Sequence, residues 1–193
     1  MDDIKYLLKR MAESANAAKA HYQIWFTLRG EGKALPKFRK DINDFRYVDF
    51  FHASNSGHYK LIFIELGCLF DSDGRAASFK NLKEALKHTE KINLIQKIES
   101  SFSHYKNTVS KVKTIRSRLI AHKDLNAEIK KTYKEKNGIT PDQIRDLIET
   151  SCVLINELNQ EIIGKGNNPI ANESNRYENA TFSLLEVLKK GRS

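Results

Sequence analysis

The chain has 193 residues, 40% of them hydrophobic and 30% charged, which suits one domain with a sizeable core and argues against an integral membrane protein. Lysine and arginine number 33 against 24 acidic residues, and the net charge of +9 favours polyanionic partners, nucleic acid above all, through summed field. The longest apolar run, Leu61 to Phe70, contains Glu65 and falls far short of the ~20 residues that span a bilayer.

The opening Asp2-Asp3 lacks the basic-then-apolar layout of a secretory signal, so a cytoplasmic location is expected. Ile4, Leu7, Leu8, Met11, Ala15, Ala18, Tyr22 and Trp25 then recur at three- and four-residue steps, one stripe of a long first helix that ends at Arg29-Gly30-Glu31-Gly32. A second helix follows Pro36, and either runs into or breaks before the segment from Asp49 to Phe70. That segment, with Phe50, Phe51, Leu61, Phe63, Ile64, Leu66 and Leu69, reads as a central buried helix. Asp71-Ser72-Asp73-Gly74 forms a loop, and Ser78 caps a short helix over Phe79 to His88.

The strongest periodicity comes next. Ile92, Ile95, Ile98, Phe102, Tyr105, Val109, Val112, Ile115 and Leu119 predict one amphipathic helix of about eight turns. After a polar stretch from Lys123 to Gly138, Thr140-Pro141-Asp142-Gln143 predicts a helix start, with Thr140 as cap and Gln143 in the capping-box position. That helix carries Ile144, Leu147, Ile148, Val153, Leu154, Leu158 and Ile162. The glycine- and asparagine-bearing stretch from Gly164 to Asn175 reads as a hinge or loop, and Phe182, Leu184, Leu185 and Leu188 mark a short terminal amphipathic helix. No strand is expected. The fold class is all-α: a bundle over residues 1–163, then a loop and a C-terminal helical arm over 164–193, packed on the bundle or on a partner subunit.

Cys68 and Cys152 are far apart in apolar stretches and form no CxxC pair, so buried free thiols are expected and neither a redox nor a zinc motif. His21, His52, His58, His88 and His104 show no metal-site spacing; no metal or cofactor is expected. Trp25-Phe26 and Phe50-Phe51 read as core or dimer seam rather than as base-stacking platforms.

One segment is chemically loaded. Between Lys111 and Lys136 lie nine basic residues and three acidic ones, a local excess of six out of the chain's nine. Within it stands Ile115-Arg116-Ser117-Arg118-Leu119-Ile120-Ala121-His122-Lys123-Asp124. This run resembles the Arg-x(4–6)-His signature of HEPN domains, and within them the AbiU branch of phage abortive-infection systems. Members of that branch look like Arg-Asn-Lys-aliphatic-aliphatic-Ala-His-x-Asp here; Arg116, Leu119, Ile120, Ala121, His122 and Asp124 match, while Ser117 replaces the asparagine and Arg118 the lysine. Asp71 followed by Ser78-Phe79-Lys80-Asn81-Leu82 is similar to the family's aspartate-then-short-helix passage. The resemblance covers roughly residues 1 to 160 in order of elements.

The resemblance implies a metal-independent endoribonuclease of phage defence or toxin–antitoxin type, acting as a homodimer on RNA, with an antitoxin as a further partner. Arg116 and His122 would then be catalytic, Arg118, Asp124 and Ser117 supporting, and Lys111, Lys113, Lys123, Lys130 and Lys131 would hold RNA. The chemistry suits the types: histidine exchanges protons near neutrality, and a guanidinium offers forked donors to phosphate oxygens. On an ideal helix, however, Arg116 and His122 stand about 120° apart, whereas Arg118 and His122 share a face. Either the helix breaks or bulges near Ala121, or Arg118 also works at the site.

Structural alternatives remain beside each role. His122 falls in line with Ile115 and Leu119, and cations near a helix C-terminus stabilise its dipole by ~0.3–1 kcal/mol without any function. Asp124 orients His122 or caps the next turn, and Asp71 reads as a loop or helix-end residue rather than a catalyst. Two other functions fit the same chain: a non-catalytic RNA- or nucleotide-binding HEPN module, and a helical protein-interaction domain.

Overall fold

In the computed structural model, residues 2–29, 33–121, 138–171 and 175–192 are described. Eight α-helices and no strand occur among them. Helix α1 (Asp2–Leu28) is about 40 Å long at 1.5 Å per residue and forms the axis of the bundle, packing against α3, α4, α7 and α8. Of its stripe, Ile4, Leu8, Met11, Ala15, Ala18 and Tyr22 are buried, while Leu7 and Trp25 at its flanks are only partly so.

Helix α2 (Leu35–Ile42) starts with proline in its first turn and is kinked at Phe38, whose ring is fully buried. It breaks before α3 (Val48–Leu69), which lies along α1. Phe51, Ile62, Phe63, Leu66 and Leu69 face inward, but Phe50, expected in this core, is 62% exposed. Successive helical residues point about 100° apart, so only one of the Phe50-Phe51 pair can enter. Ser78 caps α4 (Phe79–Lys87), its hydroxyl accepting from the Asn81 amide.

The eight-turn helix expected from Ile92 to Leu119 is not continuous. Helix α5 (Ile92–Ser101) stops at Phe102 (φ −104°, ψ 5°), a 3-10 turn covers Ser103–Tyr105, and α6 (Lys106–Thr114) restarts the course. The serines there explain the break: Ser100 and Ser101 hydroxyls both donate to Lys97 O, and Ser103 donates to Ser100 O, competing with the backbone ladder. The Phe102 ring swings against Phe70 and Phe79, at centroid distances of 5.0 and 4.7 Å. Both helices still face one core, which is why the apolar period survives the interruption. Ile92, at the start of the expected ladder, is exposed.

Helix α7 (Pro141–Ile162) opens with the complete Thr140–Gln143 capping box and lies against α1, α5 and α6. Val153, expected inside, is exposed, whereas Cys152 beside it is buried. Gly164 and Gly166 take positive φ values of 138° and 87° in the turn that follows. Helix α8 (Arg176–Arg192) packs on α1 and α2, with Leu185 buried beside Phe38 and Phe51 in a second small core. Leu184, expected on that apolar face, is largely exposed, since it lies about 100° round the helix from Leu185. Ion pairs Lys33–Glu178 and Lys37–Glu186 line the same seam.

Candidate functional site

Lys111 and Lys113 lie in the last turn of α6, and Val112 and Ile115 anchor that end in the main core. From Ile115 to Ala121 the chain leaves α geometry for a π-helix, a widened form that is rare and frequent at functional sites. The segment thus departs from the ideal helix on which the 120° separation of Arg116 and His122 was calculated. The side chain of Arg118 and the residues His122, Lys123, Asp124, Lys130 and Lys131 lie outside what is described.

Arg116 is the described residue with a built environment. Its side chain crosses the C-terminal end of α3 directly over Gly67, where an added Cβ would meet Arg116 Cδ at 2.2 Å. Glycine within a helix costs roughly 0.5–1 kcal/mol against alanine, and here that cost makes room for the arginine. Arg116 Nη1 donates to Asp71 Oδ2 at 2.6 Å and more weakly to Gly67 O at 3.4 Å. Gly67 O is one of the last four carbonyls of α3, which lack intrahelical donors and attract cations. The Arg116 side chain is still 35% exposed and that of Asp71 22%.

Asp71 is fixed from both sides. Its Oδ1 accepts from the Asp73 amide at 3.0 Å, closing a turn, while Asn81 Nδ2 donates to Asp73 O and Ala76 O, both at 2.7 Å. Lys80 Nζ adds a bond to Ser72 O at 3.0 Å. The first turn of α4 thereby pins the loop that presents Asp71, which gives the aspartate-then-short-helix passage a physical purpose. The Asp73 amide, and after it the Arg116 guanidinium, hold the Asp71 carboxyl below the usual carboxylate range. The sign of the consequence is definite: the Asp71 contribution to stability is complete above its ordinary value of 3.8 and lost as pH falls through the depressed folded value. Thermal melts of wild type and Asp71→Asn should therefore differ at pH 7 and converge as pH falls below about 4; a gap that is constant with pH would deny the ion pair its role.

The other expected site residues divide. Lys113 and Ser117 are exposed. Lys111 Nζ instead donates to Gly138 O at 2.7 Å, tying α6 to the approach of α7. Asp71, a loop or helix-end residue by its sequence context, is that and also the partner of Arg116. A glycine inside the most apolar helix was the available signal for close approach.

Both cysteines are free; burial raises the Cys68 thiol and pushes Cys152 up to about 11. Among the described residues no group of three or more His, Cys, Asp or Glu side chains could hold a metal ion. His21 and His58 do meet, Nδ1 to Nδ1 at 2.8 Å between α1 and α3, and burial lowers the pKa of both. No helix among the described residues is long and apolar enough to cross a membrane.

No curated protein and no solved structure matches the chain. The family model HEPN_AbiU2, described as AbiU2, matches residues 1–181. That span takes in every described helix from α1 through α7, the Gly67–Asp71–Arg116 arrangement and the start of α8. The chain belongs to the AbiU2 family of HEPN domains.

Proposed function

We propose that this HEPN domain is a metal-independent endoribonuclease, cytoplasmic and homodimeric, that acts on RNA in phage defence or within a toxin–antitoxin pair. The observation that supports the reading is Arg116, its guanidinium braced by Asp71, its side chain still partly exposed, and its place in the most basic window of the chain.

In the proposed step, the ribose 2′-oxygen attacks the adjacent phosphorus while His122 takes its proton. The bond from phosphorus to the 5′-oxygen breaks, that oxygen receives a proton, and a 2′,3′-cyclic phosphate remains. Arg116 faces the phosphate oxygens as negative charge grows on them. Asp71 is a positioning residue that limits the rotamers of the guanidinium. Asp124 orients His122, with Ser117 and Arg118 supporting, and Lys113, Lys123, Lys130 and Lys131 contact the phosphate backbone. Lys111 joins them by exchanging its bond to the Gly138 carbonyl for one to phosphate.

Incubating single-stranded RNA with the purified chain in EDTA should yield fragments with cyclic-phosphate ends. His122→Ala and Arg116→Ala, each shown folded by circular dichroism, should lower the rate at least about a hundredfold. Equal cutting by all three proteins would mark contamination and end the proposal. Salt-sensitive RNA binding without turnover, weakened in Arg116→Ala, would instead fit a binding module.

A further inference from the structure

Across the seam between α1 and its main neighbour α3, His21 and His58 meet ring to ring. Their Nδ1 atoms stand 2.8 Å apart and their ring centroids 5.0 Å apart, so the two nitrogens point at one another nearly head-on. An imidazole nitrogen either donates through its hydrogen or accepts through its lone pair. The contact is therefore a hydrogen bond only while one Nδ1 carries a proton and the other does not. The pair is set back from the Gly67 seat of Arg116 by about two and a half turns of α3, and takes no part in that site.

Few other groups act on these rings. Both are only partly exposed; burial lowers the pKa of each, and the charge of His21 lowers that of His58 further. One turn away on α1 stand Ala17, Ala18, Ile24 and Trp25, and on α3 Ser54, Asn55, Leu61 and Ile62, none of them titratable. Tyr59 beside His58 is raised by its own burial and stays neutral. Lys19 and Lys60 are each two residues from one of the histidines and so lie about 160° away round their helices; the Ala171 carbonyl holds Lys19. Among the described residues, no carboxylate, lysine or arginine of α1, of α3 or of any other helix contributes to either lowering. A second positive charge on the pair thus meets no counter-ion among them.

We propose that His21 and His58 form a proton-operated latch between α1 and α3, closed at neutral pH and released when acid places a proton on both Nδ1 atoms. The first added proton is tolerated: it settles on the unprotonated Nε2 of the donor ring, and the bond between the Nδ1 atoms becomes charge-assisted. The second has only the accepting Nδ1 to go to. There it consumes the lone pair that held the bond and sets two imidazolium rings against each other in a half-buried seam. Such coupling divides the titration of the pair into two steps. Both folded values lie below the ordinary 6.5, so the unfolded chain takes up protons first. The stability that the pair contributes is complete above 6.5 and is lost as pH falls through the lowered values.

Trp25, the chain's single tryptophan, reports on the latch: it lies one turn after His21, and its ring stands 5.3 Å from that of Tyr59. In the full chain its emission maximum should move reversibly to longer wavelength as pH falls from about 7.5 to about 5, well above the range in which Asp71 titrates. His21→Gln and His58→Gln each leave one imidazole beside an amide that never becomes charged, and should move less than half as far. Their melting temperatures should likewise fall less over that range than that of the wild type, by about 4–8 °C. Proton NMR of the wild type, which needs no variant, should resolve the two rings titrating in separate steps. A wild-type maximum that stays in place, a movement of equal size in both glutamine variants, or two rings that titrate together at the ordinary 6.5 would each overturn the proposal.

Discussion

Gly67→Ala should destabilise the protein by about 1–2 kcal/mol and, under the proposed ribonuclease reading, cut RNA turnover about 10²–10³-fold, although position 67 touches no substrate. The ordinary expectation has the opposite sign, because alanine in a helix interior gains roughly 0.5–1 kcal/mol over glycine. What reverses it is the arginine lying across α3. The new methyl would sit 2.2 Å from Arg116 Cδ and 3.3 Å from Cγ, atoms in the middle of the side chain. No small rotation of the guanidinium relieves that overlap, so the whole side chain must leave, and with it the bonds to Asp71 and Gly67 O. A double-mutant cycle in urea isolates the effect: in an Arg116→Ala background, Gly67→Ala should become stabilising by about 0.5–1 kcal/mol. If alanine at 67 has the same sign in both backgrounds, the arginine does not occupy that groove in solution.

Phe79→Ala should cost about 3–5 kcal/mol, the largest stability effect expected of any change near the site. Phe79 is 4% exposed, and its ring stands 5.5 Å from that of Phe70 and 4.7 Å from that of Phe102. The three rings join the end of α3, the start of α4 and the break between α5 and α6. Phe70 immediately precedes Asp71, so the same cluster also sets where the carboxylate emerges. Ser78→Ala, one residue away, removes only a cap and should cost about 1 kcal/mol. Chemical denaturation of the two variants separates the effects; equal losses would mean that the ring cluster adds nothing beyond the cap.

Where the sequence was legible, the determinant was local. The α1 stripe, the Ser78 cap and the Thr140–Gln143 box each lie within a few turns of chain, and all appear as read. The break at Phe102 escaped because the apolar period stayed in phase across it, both flanking helices facing one core. Phe50 and Val153 were misread because an apolar residue beside a core position carries the same hydrophobic signature, and only the packed neighbours decide which one turns inward. Arg116 and the Gly67–Asp71 end of α3 are 45 and 49 residues apart, and no period or motif links positions at that distance. The Arg116 to His122 run could be recognised as a pattern, yet its brace could be seen only in three dimensions.

The axial position of α1 has a consequence for biosynthesis. Beside α3, its main neighbour, α1 packs against α7, whose first residue is 141, far later in translation. At roughly 5–20 residues per second, the ribosome needs on the order of 10–30 s to supply that helix after α1 emerges. Nascent chains halted before α7 should therefore leave the part of α1 around Ala15, where Cys152 of α7 packs, open to chaperones and fail to assemble the bundle, so the fold is completed only when nearly all of this sequence has been made.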